Sequence, residues 1–385
     1  VSRAYLDHAS TTPARPEAVA ALVRWTELPA ADPGRLHQEG LIVRDALEEA
    51  RRQVAAFVGA TPRQVVFTSG ATEAINAAVW GATRRLPGAP VLCADVEHSA
   101  VREASARMAP TEVIPVDRLA RLDLDALERR LADTHQPHPA LVHCQWANHE
   151  VGTVQPVHQV VALCRGAGVP VHVDAAAACG HMVLDLDALG ADLVSLSAHK
   201  MGGVPGAGAL VIGRGSRFEP FIVGGEQERA RRGGLEALPA LLAFGAAAGA
   251  LGGDGGDGQP LLHREAAQAG RQVAALALAA TSVADVELVG PTDEDQRLPS
   301  LLCLGVHGVE AEPVLIGLDR AGVAVHSGSA CSSESIEPSP VLEAMGVDAS
   351  HSLRVSVGWS TTDEDVAAFA RAFADVVAGL RALRR

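Results

Sequence analysis

Of the 32 Lys and Arg residues in this chain, one is a lysine, Lys200. A guanidinium stays protonated and cannot act as an amine nucleophile. A lysine of lowered pKa can, and it then condenses with carbonyl compounds. Lys200 closes the run SLSAHK (195–200), at the end of a hydrophobic segment. Asp174 ends another such run, VHVD, where a carboxylate needs a cationic partner or is costly to bury. A third polar cluster, Ser69-Gly70-Ala71-Thr72, follows the β-branched run QVVFT and opens a helical pattern. Uncapped N–H groups and the helix dipole suit that turn to an anion, above all a phosphate.

An ordinary helix N-cap would account for Thr72 or Asp174 taken singly. Together, a phosphate anchor, a carboxylate and a lone lysine at adjacent strand ends fit pyridoxal 5′-phosphate. Lys200 would hold its aldehyde, Asp174 would keep the ring nitrogen protonated, and Ala71, Thr72, Ser197 and His199 would take the phosphate. His98, in DVEHSA, is placed to lie against the ring and shuttle protons. Arg354, in SLRVSVG, can grip a carboxylate with two hydrogen bonds, as an amino-acid substrate requires. Cys331 lies in HSGSACSSES, too polar a run to bury a structural thiol, and there it suits a nucleophile. The other five cysteines, several of them in apolar runs, read as small buried hydrophobes of a reducing compartment; none has CxxC spacing and no zinc pattern occurs. No strand-linked GxGxxG opens a helix and no Walker A motif occurs, so dinucleotide and nucleoside-triphosphate binding are not supported.

The elements that must position these residues alternate. Strand-like runs at 64–68, 90–94, 140–145, 169–173, 192–196 and 209–212 are separated by helical stretches such as 124–131 and 157–164. This pattern predicts a largely parallel α/β sheet covered on both faces, with ligands bound outside the carboxyl ends of its strands. The Gly-rich stretch 251–260 reads as a linker. The expected division is a large cofactor-binding domain over 12–252 and a smaller α+β domain formed by 1–11 and 260–385.

The 385 residues are 48% hydrophobic and 20% charged, which excludes a disordered chain and a disulfide-stapled mini-protein. A net charge of −14 without a basic tract argues against direct nucleic-acid binding. No stretch reads as a signal peptide or membrane span, so the expected location is the cytoplasm.

With these residues in hand, the chain resembles the class V, fold type I, pyridoxal-phosphate enzymes, and among them the NifS/IscS-like cysteine desulfurases. The motifs carrying the resemblance run nearly end to end: YLDHASTTP (5–13), FTSGATEAIN (67–76), EHSAV (97–101), WANHEVGT (146–153), HVDA (172–175), SLSAHK (195–200), GGEQERARRGG (224–234), SGSACSSESIEPS (327–339) and SLRVSVGWSTT (352–362). The resemblance implies a seven-stranded, mostly parallel sheet in the large domain, and a homodimer with active sites near its interface. It also implies the conversion of L-cysteine to L-alanine, with a persulfide formed on Cys331 and passed to a sulfur-acceptor protein. Asn148 and His149 would lie beside the cofactor, and Asn148 and Arg354 beside the substrate. Four positions depart from the family pattern. His149 replaces an Asn near the cofactor phenolic oxygen, Ala177 a Gln, Leu235 the Thr of a partner-subunit phosphate loop, and Asp32 an Asn in an N-terminal loop. His149 is the natural candidate to replace the lost hydrogen bond. Two other readings use the same residues: another class V lyase or aminotransferase, and a non-catalytic partner-binding scaffold.

Overall fold

In the computed structural model, which describes residues 3–256, 258–327 and 339–383, the chain begins with a two-residue strand, β1 (Ala4–Tyr5). Helices α1 (Pro16–Trp25) and α2 (Gln38–Phe57) follow. Seven strands come next: β2 (Val65–Thr68), β3 (Val91–Ala94), β4 (Thr111–Ile114), β5 (Leu141–Gln145), β6 (Val171–Asp174), β7 (Leu193–Ser197) and β8 (Gly208–Ile212). They form one sheet in the order β2-β8-β7-β6-β5-β3-β4. The pairs β3–β4, β3–β5, β5–β6 and β6–β7 are parallel, while β8 runs antiparallel to both neighbours. The expected mostly parallel sheet is therefore present, with β8 reversed.

Every residue of β2, β3, β5, β6, β7 and β8 is buried, because helices cover both faces. Among them are α3 (Ala71–Arg85), α4 (Ser99–Met108), α5 (Leu124–Ala132), α6 (Val157–Ala167) and α7 (Leu186–Leu189). The sequence reading did not include β4. Only Ile114 of its four residues is buried, so this edge strand carries little hydrophobic signal.

The chain continues through α8 (Gln227–Ala230), α9 (Leu238–Gly252) and α10 (Leu261–Thr281) to β9 (Val286–Val289) and β10 (Leu301–Val306). Then come α11 (Ala311–Arg320), β11 (Val323–Ala324), β12 (His326–Ser327), α12 (Pro340–Ala344), β13 (Ser352–Ser356) and α13 (Asp363–Leu383). A second sheet orders β12-β13-β10-β9, antiparallel throughout. Its core gathers Leu302, Leu304, Leu353, Phe369 and Phe373, together with Ala4 and Leu6 from the amino terminus. The first residues thus pack with the last third of the chain, β1 pairing parallel with β11.

The Gly-rich stretch after α9 folds back on itself. Asp254 bridges to Pro260, and the Asp254 carboxylate accepts hydrogen bonds from the N–H groups of Gly256 (2.8 Å) and Gly258 (3.0 Å). Its two ends therefore lie side by side, and α9 and α10 are in contact. Among the described residues no helix is long and apolar enough to cross a membrane.

Candidate active site

The carboxyl ends of β5, β6 and β7 open on one cavity of about 490 Å³. Nine of the residues expected to bind cofactor or substrate or to catalyse line it: Ala71, Thr72, His98, His149, Asp174, Ser197, His199, Lys200 and Arg354. The sheet register brings the central ones together. Gln145 pairs with Asp174, and Asp174 with Ser195, so successive strand ends present their side chains to one place.

Lys200 follows β7 in a short 3-10 turn, Ala198–Lys200. Its Nζ donates to the backbone carbonyls of Ala9 and Ser10, the latter at 3.0 Å. The amine is thereby held at the cavity wall by the amino-terminal segment. Asp174 is 8% exposed, and both hydrogen bonds it accepts, from Ser195 Oγ (2.8 Å) and the Ala176 N–H (3.0 Å), fall on Oδ1. That fixes the plane of the carboxylate.

The loop Ser69-Gly70 enters α3, and no side chain caps its first N–H groups, the arrangement an anion needs. Gly208 on β8 lets this loop lie close, since a Cβ there would sit 2.6 Å from the Gly70 backbone. Glu73 accepts from the Ser69 N–H (2.8 Å) and pairs with Arg232 (3.0 Å). Burial would raise the Glu73 pKa, but the hydrogen bonds from Arg232 and Ser69 outweigh it and hold the carboxyl low. His199 is pushed down to about 4, by burial first and by Lys200 second. It is therefore a neutral hydrogen-bonding group here, and its Nδ1 lies 3.2 Å from Thr11 Oγ1.

His98 caps α4: its Nδ1 accepts from the Ala100 N–H at 3.1 Å, which leaves the proton of the neutral ring on Nε2. The rings of His98 and His149 meet edge to face, 5.0 Å between centroids. Arg354 is 1% exposed; it donates to Asp7 (2.9 Å), Ser10 Oγ (2.6 Å) and the His149 carbonyl (3.0 Å), while its buried Nε has no partner among the described residues. A carboxylate entering the cavity would share this guanidinium with Asp7.

Asn148 does not line the cavity. It is fully buried, its Nδ2 donates to the Val96 carbonyl and its Oδ1 accepts from the N–H groups of Glu150 and Val151. It shapes the turn that presents His149. Ala177 lines the cavity with a methyl group, and Leu235 is 60% exposed beside it. Asp32 turns back on its own loop, accepting from the Gly34 N–H at 2.7 Å. Cys331 lies outside the described residues. The sequence reading missed Gln145, Ser10 and the Glu73–Arg232 pair. Gln145 could have been found, because it ends its strand as Asp174 ends the next one. It also missed Glu97, fully buried behind the cavity, whose carboxyl burial raises to about 8.

These residues fit pyridoxal 5′-phosphate: an amine, an oriented carboxylate and an uncapped helix start face one cavity of adequate size. The aminotransferase class-V family model matches residues 4–369. A relative named cysteine desulfurase from Cereibacter sphaeroides is 37% identical, covering 100% of this chain and 98% of that protein. Cysteine desulfurase IscS of Dictyoglomus turgidum is 35% identical, covering 94% and 91%. Among solved structures, a NifS-like protein from Rickettsia africae aligns with a TM-score of 0.85 at 26% identity, over 97% of this chain and 99% of the other. SspA in complex with cysteine aligns at 0.78 and 25% identity, over 92% and 98%.

Proposed function

The chain belongs to the aminotransferase class-V family, and from that premise we propose that it is a cysteine desulfurase, releasing L-alanine from L-cysteine. The observation that carries the reading is that the sole lysine, Lys200, shares one cavity with Asp174, His98 and Arg354. Bound there, pyridoxal 5′-phosphate would supply an aldehyde for Lys200 and an electron-withdrawing ring. Asp174 would sit at the ring nitrogen, and the start of α3 with Thr72, Ser197 and His199 at the phosphate. His149 would serve the phenolic oxygen, where Ala177 has nothing to donate.

Arg354 orients the substrate by its carboxylate, which shares the guanidinium with Asp7. Lys200 Nζ and His98 Nε2 are the groups that can move protons at the substrate carbons. Cys331 is assigned the sulfur: its thiolate attacks the substrate sulfur, an S–S bond forms, the C–S bond breaks, and the carbon takes up a proton. The persulfide then passes to an acceptor protein. We assign a homodimer as well, supported by exposed apolar side chains at Leu36, Val223 and Leu235. A cytoplasmic setting is supported by the five described cysteines, all buried and free.

The test is alanine released from L-cysteine by the cofactor-loaded protein, with Cys331→Ala beside it. Alanine from the wild type and none from the variant is the expected result. Alanine from both would turn the reading towards a simple lyase.

A further inference from the structure

We propose that Arg15 is a positioning residue: it clasps the turn that carries Lys200 and ties that turn to α10 and to Trp359, so that the amine and the Arg354 guanidinium stand at a fixed spacing. The inference rests on the desulfurase reading and adds to it a residue that does not line the main cavity.

Lys200 follows a strand of the seven-stranded sheet, whereas Arg354 belongs to the four-stranded one. A substrate gripped by one and reacting at the other needs the two in register. The turn after β7 closes on itself: the Met201 and Gly203 N–H groups both donate to the Ala198 carbonyl, at 3.1 and 2.9 Å. Three further carbonyls of this turn are held by the amino-terminal segment. The Thr12 N–H donates to His199 O (3.1 Å), the Arg15 N–H to Gly202 O (2.8 Å) and Arg15 Nε to Met201 O (2.8 Å). Gly202, at a φ of +91°, lets Arg15 lie this close, because a Cβ there would collide with the Arg15 side chain.

The far side of the guanidinium is fixed as well. Nη1 and Nη2 donate to the two carboxylate oxygens of Glu265 on α10, the first at 2.7 Å. Arg15 is 4% exposed, so solvent screens the pair little. Its Cζ lies 5.7 Å from the centroid of the Trp359 ring, and Trp359 Nε1 donates to the Pro13 carbonyl at 2.9 Å. Trp359 follows β13, the strand of Arg354. The bonds from Lys200 Nζ to Ala9 and Ser10 engage the amine itself and cannot outlast its condensation with a carbonyl. The Arg15 contacts do not involve the amine, so they hold the turn before and after it reacts.

The experiment compares three holoenzymes: wild type, Arg15→Lys and the double variant Arg15→Met/Glu265→Leu. A lysine would set a carbon where arginine has Nε, so Arg15→Lys keeps a charge beside Glu265 and loses the bond to Met201. Hydrogen exchange at the Met201 and Gly203 amides is followed by mass spectrometry, beside kcat and KM for cysteine and the urea midpoint. Arg15→Lys should speed that exchange about tenfold and lower kcat about tenfold, with KM within about threefold because Arg354 keeps its own bonds. Its urea midpoint should stay near that of the wild type. The double variant strands no charge and should show the same two losses, which keeps the test readable if Arg15→Lys fails to fold. Wild-type exchange at the turn, or wild-type kcat, in whichever variant folds would overturn the proposal and leave Arg15 a support for α10 alone. Exchange needs no turnover, so absence of alanine from the wild type would count against the desulfurase reading alone.

Discussion

Lys200 can be tested as a residue in a way few active-site lysines allow, because the chain has no other. Reducing the cofactor-loaded protein with borohydride should add the cofactor's mass to one internal peptide, the one containing Lys200. Lys200→Ala should remain unlabelled there and should lower alanine release by about 10²–10⁴-fold, the range for a removed acid–base group. Label on another internal peptide would displace Lys200 from its role. The lysine, Asp174 and His98 were legible in the sequence because each is a costly residue at or just past the end of an apolar run, and Arg354 because it is a cation within a run that reads as a strand. Asn148 was legible as a motif position but not in its role. Whether an amide faces a cavity or spends its bonds on a turn depends on where the loop's own N–H groups point. The Arg232–Glu73 pair, 159 residues apart in sequence, carries no local pattern at all.

At the scale of elements, buried runs located six of the seven central strands to within one or two residues, because a strand covered on both faces must be apolar along its length. Direction is another matter: β8 is as apolar as β7 yet runs against it, and nothing in its composition says so. What β8 does is bring Gly208 under the Gly70 loop. Gly208→Ala would drive a methyl group to 2.6 Å from the Gly70 backbone and so shift the start of α3. The expected loss is about 1–3 kcal/mol of stability together with weaker cofactor binding, read by chemical denaturation and by cofactor titration. Unchanged cofactor affinity would show that the α3 turn is not the phosphate cradle. The segment around α8 is pinned in a different way. Glu228, 4% exposed, pairs with the 2%-exposed Arg51 and accepts the Phe67 N–H at 2.8 Å. Removing the carboxylate by Glu228→Ala leaves a buried cation and a buried N–H without it, and should cost about 3–5 kcal/mol in urea unfolding. A loss below about 1 kcal/mol would mean that Glu48, 3.0 Å from Arg51 on the other side, suffices alone.

For the whole molecule, the buried ionisable groups set the pH at which it is most stable. Burial lowers His8, His172, His181 and His199 to about 4 and His143 well below its ordinary value. His143 and His172 face each other across β5 and β6 with Nδ1 atoms 2.8 Å apart and, among the described residues, no hydrogen-bond partner for either Nε2. Between about pH 6.5 and 4 the unfolded chain binds protons that these folded imidazoles refuse, so stability falls as pH falls, by at most about 1.4 kcal/mol per pH unit for each group. Glu97 has the opposite slope. Raised by burial to about 8, it keeps its proton in the folded state while the unfolded carboxyl loses it, so its contribution falls as pH rises from about 4.5 to 8. Five imidazoles outweigh the carboxyls raised by burial, Glu97 and Glu236, below pH 6.5, and above it the carboxyls act without them. On the alkaline side burial raises Cys93, Cys164, Cys179 and Cys303 to about 12 and Cys144 well above its ordinary value. The unfolded thiols ionise first, and stability falls again above about pH 9. Urea midpoints should therefore peak near pH 6.5, drop steeply by pH 5, decline gently to pH 8 and drop again by pH 10. His172→Asn should make the acid limb shallower while leaving the alkaline limb in place. A midpoint at pH 5 equal to that at pH 6.5 would show that these imidazoles accept protons in the folded state, which for His143 and His172 the packing of β5 against β6 opposes.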